Sequence, residues 1–236
     1  MIQFFAPDIL ESLSLPESDS AHCVRVLRMN TGDIIQVVDG KGHIFKCRIT
    51  DAHPKHTSVQ IIESQTMRPV WANPIVIAVA PTKNIDRMEW LVEKLVEIGV
   101  DRIVPLLCRH SERKTINSER LRKIAISAMK QSLKAVLPEI YEMTPFDRYI
   151  SSEQSHQRFV AYCDPSLPRK LLARTYEPGQ SAAILIGPEG DFDPAEINAA
   201  LSHGWQPVTL GDNRLRTETA ALVACDTCHI ISQSKI

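Results

Sequence analysis

The sequence predicts an α/β protein: a small β-rich domain over residues 1–70, then a larger domain over residues 71–236 with a mostly parallel sheet covered by helices. Three observations predict it. Residues from about 20 to 66 carry β-branched runs separated by turn residues. From residue 75 onward, short apolar runs alternate with segments of helical periodicity. Between the two lies "MRPVWANP" (67–74), a stretch with two prolines and no period, which reads as a linker.

In the first region "DIIQVVD" (33–39), "HIFKCRIT" (43–50) and "SVQIIES" (58–64) are strand candidates, and Asp39-Gly40-Lys41-Gly42 is a hairpin turn between the first two. In the second, "IVIAVA" (75–80) is a short buried strand. "IDRMEWLVEKLVEI" (85–98) repeats apolar residues at helical spacing and meets Gly99, where a helix stops. "RIVPLL" (102–107), "RFVAYC" (158–163), "AAILI" (182–186) and "PVTL" (207–210) are further strands. "SERLRKIAISAMKQSLKAVL" (118–137) reads as a helix ended by Pro138. Asp193-Pro194-Ala195-Glu196 opens another, with Asp193 as cap, Pro194 in the first turn and Glu196 completing a capping box. A last helix begins near Thr217.

Composition narrows the function. The chain has 236 residues, 44% hydrophobic and 23% charged, which is ordinary soluble globular usage. No apolar run approaches the ~18 residues of a membrane span. The N-terminal "MIQFFAPDILESL" lacks a basic region and carries Asp8 and Glu11, so it does not read as a secretory signal, and the expected location is the cytoplasm. In a reducing compartment the six cysteines serve mostly as small buried apolar residues. A net charge of −1 excludes a surface coated in positive potential, so any nucleic-acid contact must come from local clusters.

Chemistry gathers at strand ends. Ligands of open α/β sheets sit beyond the carboxyl ends of the strands. Three segments leave such ends with unusual residues: Tyr162-Cys163-Asp164-Pro165, Gly187-Pro188-Glu189-Gly190, and Leu210-Gly211-Asp212-Asn213-Arg214-Leu215-Arg216. Glycine allows close backbone approach and proline stiffens the turn. Any one of them could be a plain tight connection; together they suggest a composite ligand site. The Gly187–Gly190 turn has neither a phosphate-binding lysine nor the G-x-G-x-x-G of a dinucleotide site.

"LIGPEGDFDPAEI" followed by "VTLGDNRLRTETAALVA" resembles the paired signature of the RsmE-type rRNA methyltransferases of the SPOUT superfamily. "HCVRVLRMNTGD" (22–33) is similar to that family's N-terminal segment and "AMKQSLKAVLPEI" (128–140) to its central helix, so the likeness spans most of the chain. Asp191 stands where a third glycine is common, Asp212-Asn213 replace a more usual pair, and Lys134 takes a position often held by arginine. The resemblance implies a PUA-like β-barrel domain at the N-terminus and a trefoil-knotted C-terminal domain that pairs as a homodimer. It also implies that S-adenosylmethionine binds the knotted loops chiefly through backbone groups. Gly187, Gly190, Leu210, Gly211 and Leu215 then line the cofactor, supported by Leu185, Ile186 and Thr219; by residue type Leu210 and Leu215 equally suit a core.

The implied reaction is methylation of N3 of one uracil in small-subunit rRNA, free or in an assembled subunit, without a metal. Displacement at the methyl carbon needs alignment and stabilisation of negative charge on the uracil oxygens. Arg216 suits the second task, or the anchoring of a substrate phosphate. Glu218 and Glu189 are the acid–base candidates; alternatively Glu218 is a first-turn carboxylate of the last helix and Glu189 binds nearby amides.

Two basic groups are candidate RNA contacts. Arg25 and Arg28 lie with Lys41, Lys46 and Arg48 in the first region. Arg109, Arg113 and Lys114 open a run continuing through Arg120, Arg122, Lys123, Lys130 and Lys134. Such runs also occur as merely solvated helix faces. Cys225-Asp226-Thr227-Cys228-His229 fits the C-x-x-C-H pattern of haem attachment. No export signal accompanies it, no methionine follows Met143, and the three side chains fall on one face of an apolar helix, so a buried or interface face is the better reading. The competing function is a non-catalytic RNA-binding or ribosome-assembly protein with the same fold; the intact Gly187, Gly190, Gly211 and Arg216 favour the enzyme.

Overall fold

The computed structural model describes residues 2–67, 73–163 and 168–234. The chain divides into two compact units, Met1–Val70 with Ile126–Leu137, and Trp71–Ala125 with Pro138–Ile236. Where the sequence suggests a single cut after residue 70, the first unit thus also takes a piece from the middle of the chain. Most of the expected linker, residues 68–72, lies outside the described residues, as do Asp164 and Pro165.

The first unit contains β1 (Gln3–Phe5), α1 (Ile9–Ser12), α2 (Glu17–Ala21), one turn of π-helix (His22–Val26), β2 (Ile34–Val38), β3 (His43–Asp51) and β4 (Ser58–Thr66). The expected barrel takes the form of a four-stranded sheet in the order β1-β2-β3-β4, with β1 parallel to β2 and the rest antiparallel. Buried and exposed residues alternate along β3, the pattern of a strand with one face on a core. That face packs Phe45, Cys47 and Ile49 with Phe4, Ile9, Ile35 and Val37. The hairpin after β2 is fastened by Asp39, whose Oδ1 accepts from the amides of Lys41 (2.8 Å) and His43 (3.1 Å) while Oδ2 meets His43 Nδ1 at 2.6 Å.

The second unit contains β5 (Ile75–Val79), α3 (Ile85–Ile98), β6 (Arg102–Leu107), most of α4 (Ser118–Gln131), β7 (Glu139–Ile140), β8 (Thr144–Pro145), α5 (Phe146–Ser152) and β9 (Gln157–Ala161). β10 (Lys170–Leu171), α6 (Leu172–Thr175), β11 (Ala182–Ile186), α7 (Pro194–Ser202), β12 (Gln206–Thr209) and α8 (Thr217–Ser234) follow. Its sheet runs β10-β12-β9-β11-β5-β6-β7, with β8 beside β6, and every pairing is parallel. All five residues of β5 and of β11 are buried, as expected of central strands covered on both faces.

The helix ends follow local chemistry. Asn84 Oδ1 accepts from the Asp86 amide at 3.0 Å to start α3, and Gly99 ends it at φ 121°. The capping box of α7 forms as expected, with Asp193 accepting from Ala195 N (2.8 Å) and Glu196 from Asp193 N (2.9 Å). The helix expected over 118–137 stops at Gln131 instead. Leu133 turns left-handed (φ 56°) and the Lys134 amide closes back on the Met129 carbonyl at 3.0 Å. The freed segment bonds the hairpin, Gly42 N to Ala135 O (3.0 Å) and Leu137 N to Gly40 O (2.9 Å), and these bonds outweigh helical propensity. Among the described residues no helix is long and apolar enough to cross a membrane.

Candidate active site at the carboxyl ends of the strands

Because the strands are parallel, the loops after β9, β11 and β12 emerge at one end of the sheet. β11 lies between β9 and β5, while β12 lies on the other side of β9, so the strand order reverses there. A cavity of about 1020 Å³ opens at that reversal. The loops after β11 and β12, the tip of β9 and the first turns of α3 and α8 line it.

Of the residues expected at a cofactor, Ile186, Gly187, Gly190, Leu210, Gly211 and Leu215 line this cavity. Leu185 does not: successive strand residues point to opposite faces, and Leu185 is fully buried in the core with Val76 and Val160. Thr219 is also absent from the wall, which α8 builds from Thr217, Glu218 and Ala220. Gly187 sits in a tight place, since a Cβ there would stand 3.1 Å from Cδ2 of Phe192 and 3.2 Å from Oδ1 of Asp191 and would press on both. Gly211 is demanded by its backbone, at φ 131°, and a Cβ there would meet nothing within 4 Å. Thr217 Oγ1 donates to the Gly187 carbonyl at 3.1 Å, fixing the start of α8 to the loop after β11.

The charged candidates divide by environment. Arg216 is exposed on the cavity wall and has no ion-pair partner among the described residues. Glu218 is 8% exposed and its Oε1 lies 3.8 Å from Nε of Arg87. Glu189 is exposed and accepts the Lys83 amide through Oε1 at 2.9 Å, so one of its oxygens has the amide-binding task. Arg87 and Arg169 also line the cavity and were not among the sequence candidates. Arg87 could have been found, because it stands in the first turn of the helix that follows the carboxyl end of β5.

The basic candidates are less uniform than their spacing suggests. Arg25 and Arg28 are exposed, with Arg28 in the left-handed region at φ 55°. Lys114 is exposed. Arg113 is half-buried, and its guanidinium donates to the carbonyls of Thr82 (3.1 Å) and Lys83 (2.6 Å). Arg109 pairs with Asp193 at 3.3 Å, and its amide donates to Glu196 at 2.9 Å. In the C-x-x-C-H stretch, Cys225 and Cys228 are fully buried in α8, and burial pushes the Cys228 thiol up to about 12. A thiol so held stays protonated and is a poor metal ligand or nucleophile.

The fold and this site define a class, the RNA methyltransferases: residues 70–229 match the RNA methyltransferase domain family and residues 15–62 the RNA methyltransferase PUA domain. The ribosomal RNA small subunit methyltransferase E of Buchnera aphidicola (from Acyrthosiphon pisum) is 31% identical over 229 residues, covering 92% of this chain and 87% of the relative. That of Bacillus subtilis is 28% identical, covering 90% and 88%. Among solved structures, a probable rRNA methyltransferase from Porphyromonas gingivalis superimposes with a TM-score of 0.95 at 45% identity over 100% of both chains. The ribosomal RNA small subunit methyltransferase E of Neisseria gonorrhoeae, bound to S-adenosyl methionine, does so with a TM-score of 0.87 at 25% identity over 98% of both. The chain belongs to the ribosomal RNA small subunit methyltransferase E family.

Proposed function

We propose that this protein transfers a methyl group from S-adenosylmethionine to N3 of a uridine in small-subunit rRNA. The observation that carries the proposal is the cavity at the strand-order reversal, walled by glycine-bearing loops and bordered by Arg216, which has no ion-pair partner among the described residues. The wall fits the methyl donor. Apolar Ile186, Val208, Leu210 and Leu215 suit a purine. Gly187, Gly190 and Gly211 bring backbone to the wall; the Gly187 carbonyl already accepts from Thr217 Oγ1 and the Gly211 carbonyl from Thr209 Oγ1, and each carbonyl keeps a second lone pair for the donor. The bound donor supplies an electrophilic methyl on sulfonium sulfur; the reaction forms the N3–carbon bond, breaks the carbon–sulfur bond and releases the N3 proton.

The chain's own residues supply placement and charge. The loops after β11 and β12 orient the donor, and Arg216 donates to the uracil oxygens as negative charge develops on them. Glu218, buried against Arg87, organises the first turn of α8; Glu189, the exposed carboxylate on the cavity wall, is the acid–base group, with Oε1 held by the Lys83 amide. Arg25, Arg28, Arg109 and Lys114 contact RNA phosphates, giving binding that weakens with salt. Arg113, held by two carbonyls, positions the loop after β5 instead.

Two further parts of this reading concern architecture. The chain passes from β9 through β10 to β11 and then across to β12, and α8 packs on α3. The resemblance to the family is what assigns a trefoil knot to the loops that wall the cavity. Ile230 on α8 and Trp90 on α3 are 57% and 43% exposed, which suits pairing with a second copy, and light scattering of the purified protein tests for the dimer. The protein works in the cytoplasm, where its substrate is assembled. The deciding experiment incubates the protein and labelled S-adenosylmethionine with small subunits lacking the modification. Label at N3 of one uridine is the expected result; donor binding without transfer to subunits or free rRNA would overturn the enzymatic reading in favour of an RNA-binding role.

A further inference from the structure

Asp191 occupies a strained place. Its backbone is left-handed, at φ 62°, whereas neither Gly187 nor Gly190 of the same loop has a positive φ. Asparagine and aspartate bear that conformation better than most residues, but at a cost glycine does not incur. The side chain shows what offsets it. Oδ1 accepts from the Phe192 amide at 2.8 Å, closing the turn in which it sits. Oδ2 reaches across to the next strand and accepts from the Cys163 amide at 3.1 Å, at the tip of β9. The Asp191 carbonyl accepts from His110 Nδ1 at 3.1 Å, from the loop after β6. One residue therefore ties together the loops that follow three strands of the sheet, and both Asp191 and Cys163 line the cavity.

We propose that Asp191 is a positioning residue that fastens the β9 tip to the loop after β11, so that the wall of the methyl-donor site is set before the donor arrives. The inference rests on the proposed function and extends it. Without the Oδ2 contact, the Cys163 amide loses a charge-assisted partner and the β9 tip is free to move from the cavity wall. A binding wall that must be ordered on ligand entry lowers affinity, whereas one ordered beforehand does not. Both carboxylate oxygens of Asp191 are engaged by backbone amides, so it acts through the wall it holds, and its effect falls on donor binding and not on the chemical step. Partial desolvation and the Asp191 carboxylate push the neighbouring Cys163 thiol up, away from the reactive thiolate.

The test compares wild type with Asp191→Gly and Asp191→Asn, all as full chains. Glycine relieves the left-handed backbone while removing the clamp, so the variant should fold. Asp191→Gly should weaken S-adenosylmethionine binding about tenfold by calorimetry and raise its KM to match, with kcat at saturating donor within about twofold of wild type. Asp191→Asn, which keeps a side-chain carbonyl for one of the two amides, should recover part of the loss. Independently of any donor, hydrogen exchange at the Cys163 amide should be faster in Asp191→Gly than in wild type. Wild-type affinity in Asp191→Gly overturns the positioning role, as does a fall in kcat with KM unchanged, and equal exchange overturns the clamp. If wild type itself binds no donor, the functional reading fails and the positioning role with it, while the exchange measurement still decides whether Asp191 fastens the two loops.

Discussion

The two ends of the parallel sheet are built on opposite principles. At the amino end the buried polar side chains Glu153, Gln157 and Trp205 find their partners inside the protein. Glu153, 5% exposed, accepts from Tyr149 Oη (2.8 Å), from Ser155 N (2.9 Å) and from Ser155 Oγ (2.8 Å), and faces Arg102 Nη2 at 3.4 Å. The Gln157 amide exchanges two hydrogen bonds with the Glu177 backbone, each 2.8 Å. The Trp205 indole, 2% exposed, donates to the Ile150 carbonyl at 3.2 Å. At the carboxyl end, glycines stand where side chains would fill space, and Arg214 and Arg216 are exposed without ion-pair partners among the described residues. Sealed polar groups hold the sheet together. Unsealed ones are available to a ligand, and under the proposed function the contrast predicts that losing residues of the first kind costs stability and losing those of the second costs reaction rate.

The contrast is tested hardest by Arg216→Ala. With no ion-pair partner among the described residues to lose, the variant should unfold at the wild-type temperature and bind S-adenosylmethionine measurably by calorimetry. Methyl transfer should fall by about 10²- to 10³-fold, the usual effect of removing a charge-stabilising donor. Turnover near the wild-type rate would remove Arg216 from the mechanism, and loss of the fold would refute its placement at the open end.

Glu153→Gln probes the other end, with a smaller effect of the opposite kind. Burial alone pushes the Glu153 carboxyl up, but the hydrogen bonds from Tyr149 and Ser155 and the Arg102 guanidinium outweigh it and hold the carboxyl below its ordinary range. The unfolded chain therefore binds the proton more readily than the fold does. The stabilisation is fully present above the ordinary glutamate value of about 4.3 and is lost as pH falls through the lowered folded value. The amide should cost roughly 2 kcal/mol in urea unfolding at neutral pH, with transfer rates of the folded protein unchanged. The gap between variant and wild type should close in acid. A gap that widens as pH falls would contradict the sign.

What the sequence made legible follows the same division. The buried parallel strands β5 and β11 were readable because continuous apolar runs require burial on both faces. The α7 capping box was readable because each part of it is local. The loops bearing Gly187, Gly190 and Gly211 were readable because glycine marks close approach. Illegible were features set by distant partners. The early end of α4 depends on bonds from residues 135–137 to the Gly40 hairpin. The commitment of Arg113 to two carbonyls depends on a loop 30 residues away. The strand β1 is three residues long and has no pattern of its own until β2 pairs with it. Leu185 and Ile186, adjacent and alike, differ only in which face of the sheet they meet.

The smallest effect separates two glycines of the open end. Gly211 has room for a Cβ but sits at φ 131°, so alanine there is strained whatever surrounds it, by about 1 kcal/mol. Gly187 carries no such backbone demand, but its alanine must displace the ring of Phe192, which is 2% exposed and packed against Phe146 at 5.5 Å between centroids. Gly211→Ala should therefore lower stability slightly and weaken donor binding by about fivefold, an effect that follows the backbone alone. Gly187→Ala should in addition disturb the Phe192 core, visible as a change in near-ultraviolet circular dichroism that Gly211→Ala lacks. If both alanines behave alike in that spectrum, crowding by Phe192 is not what requires glycine at 187, and the loop after β11 bends for the ligand's sake alone.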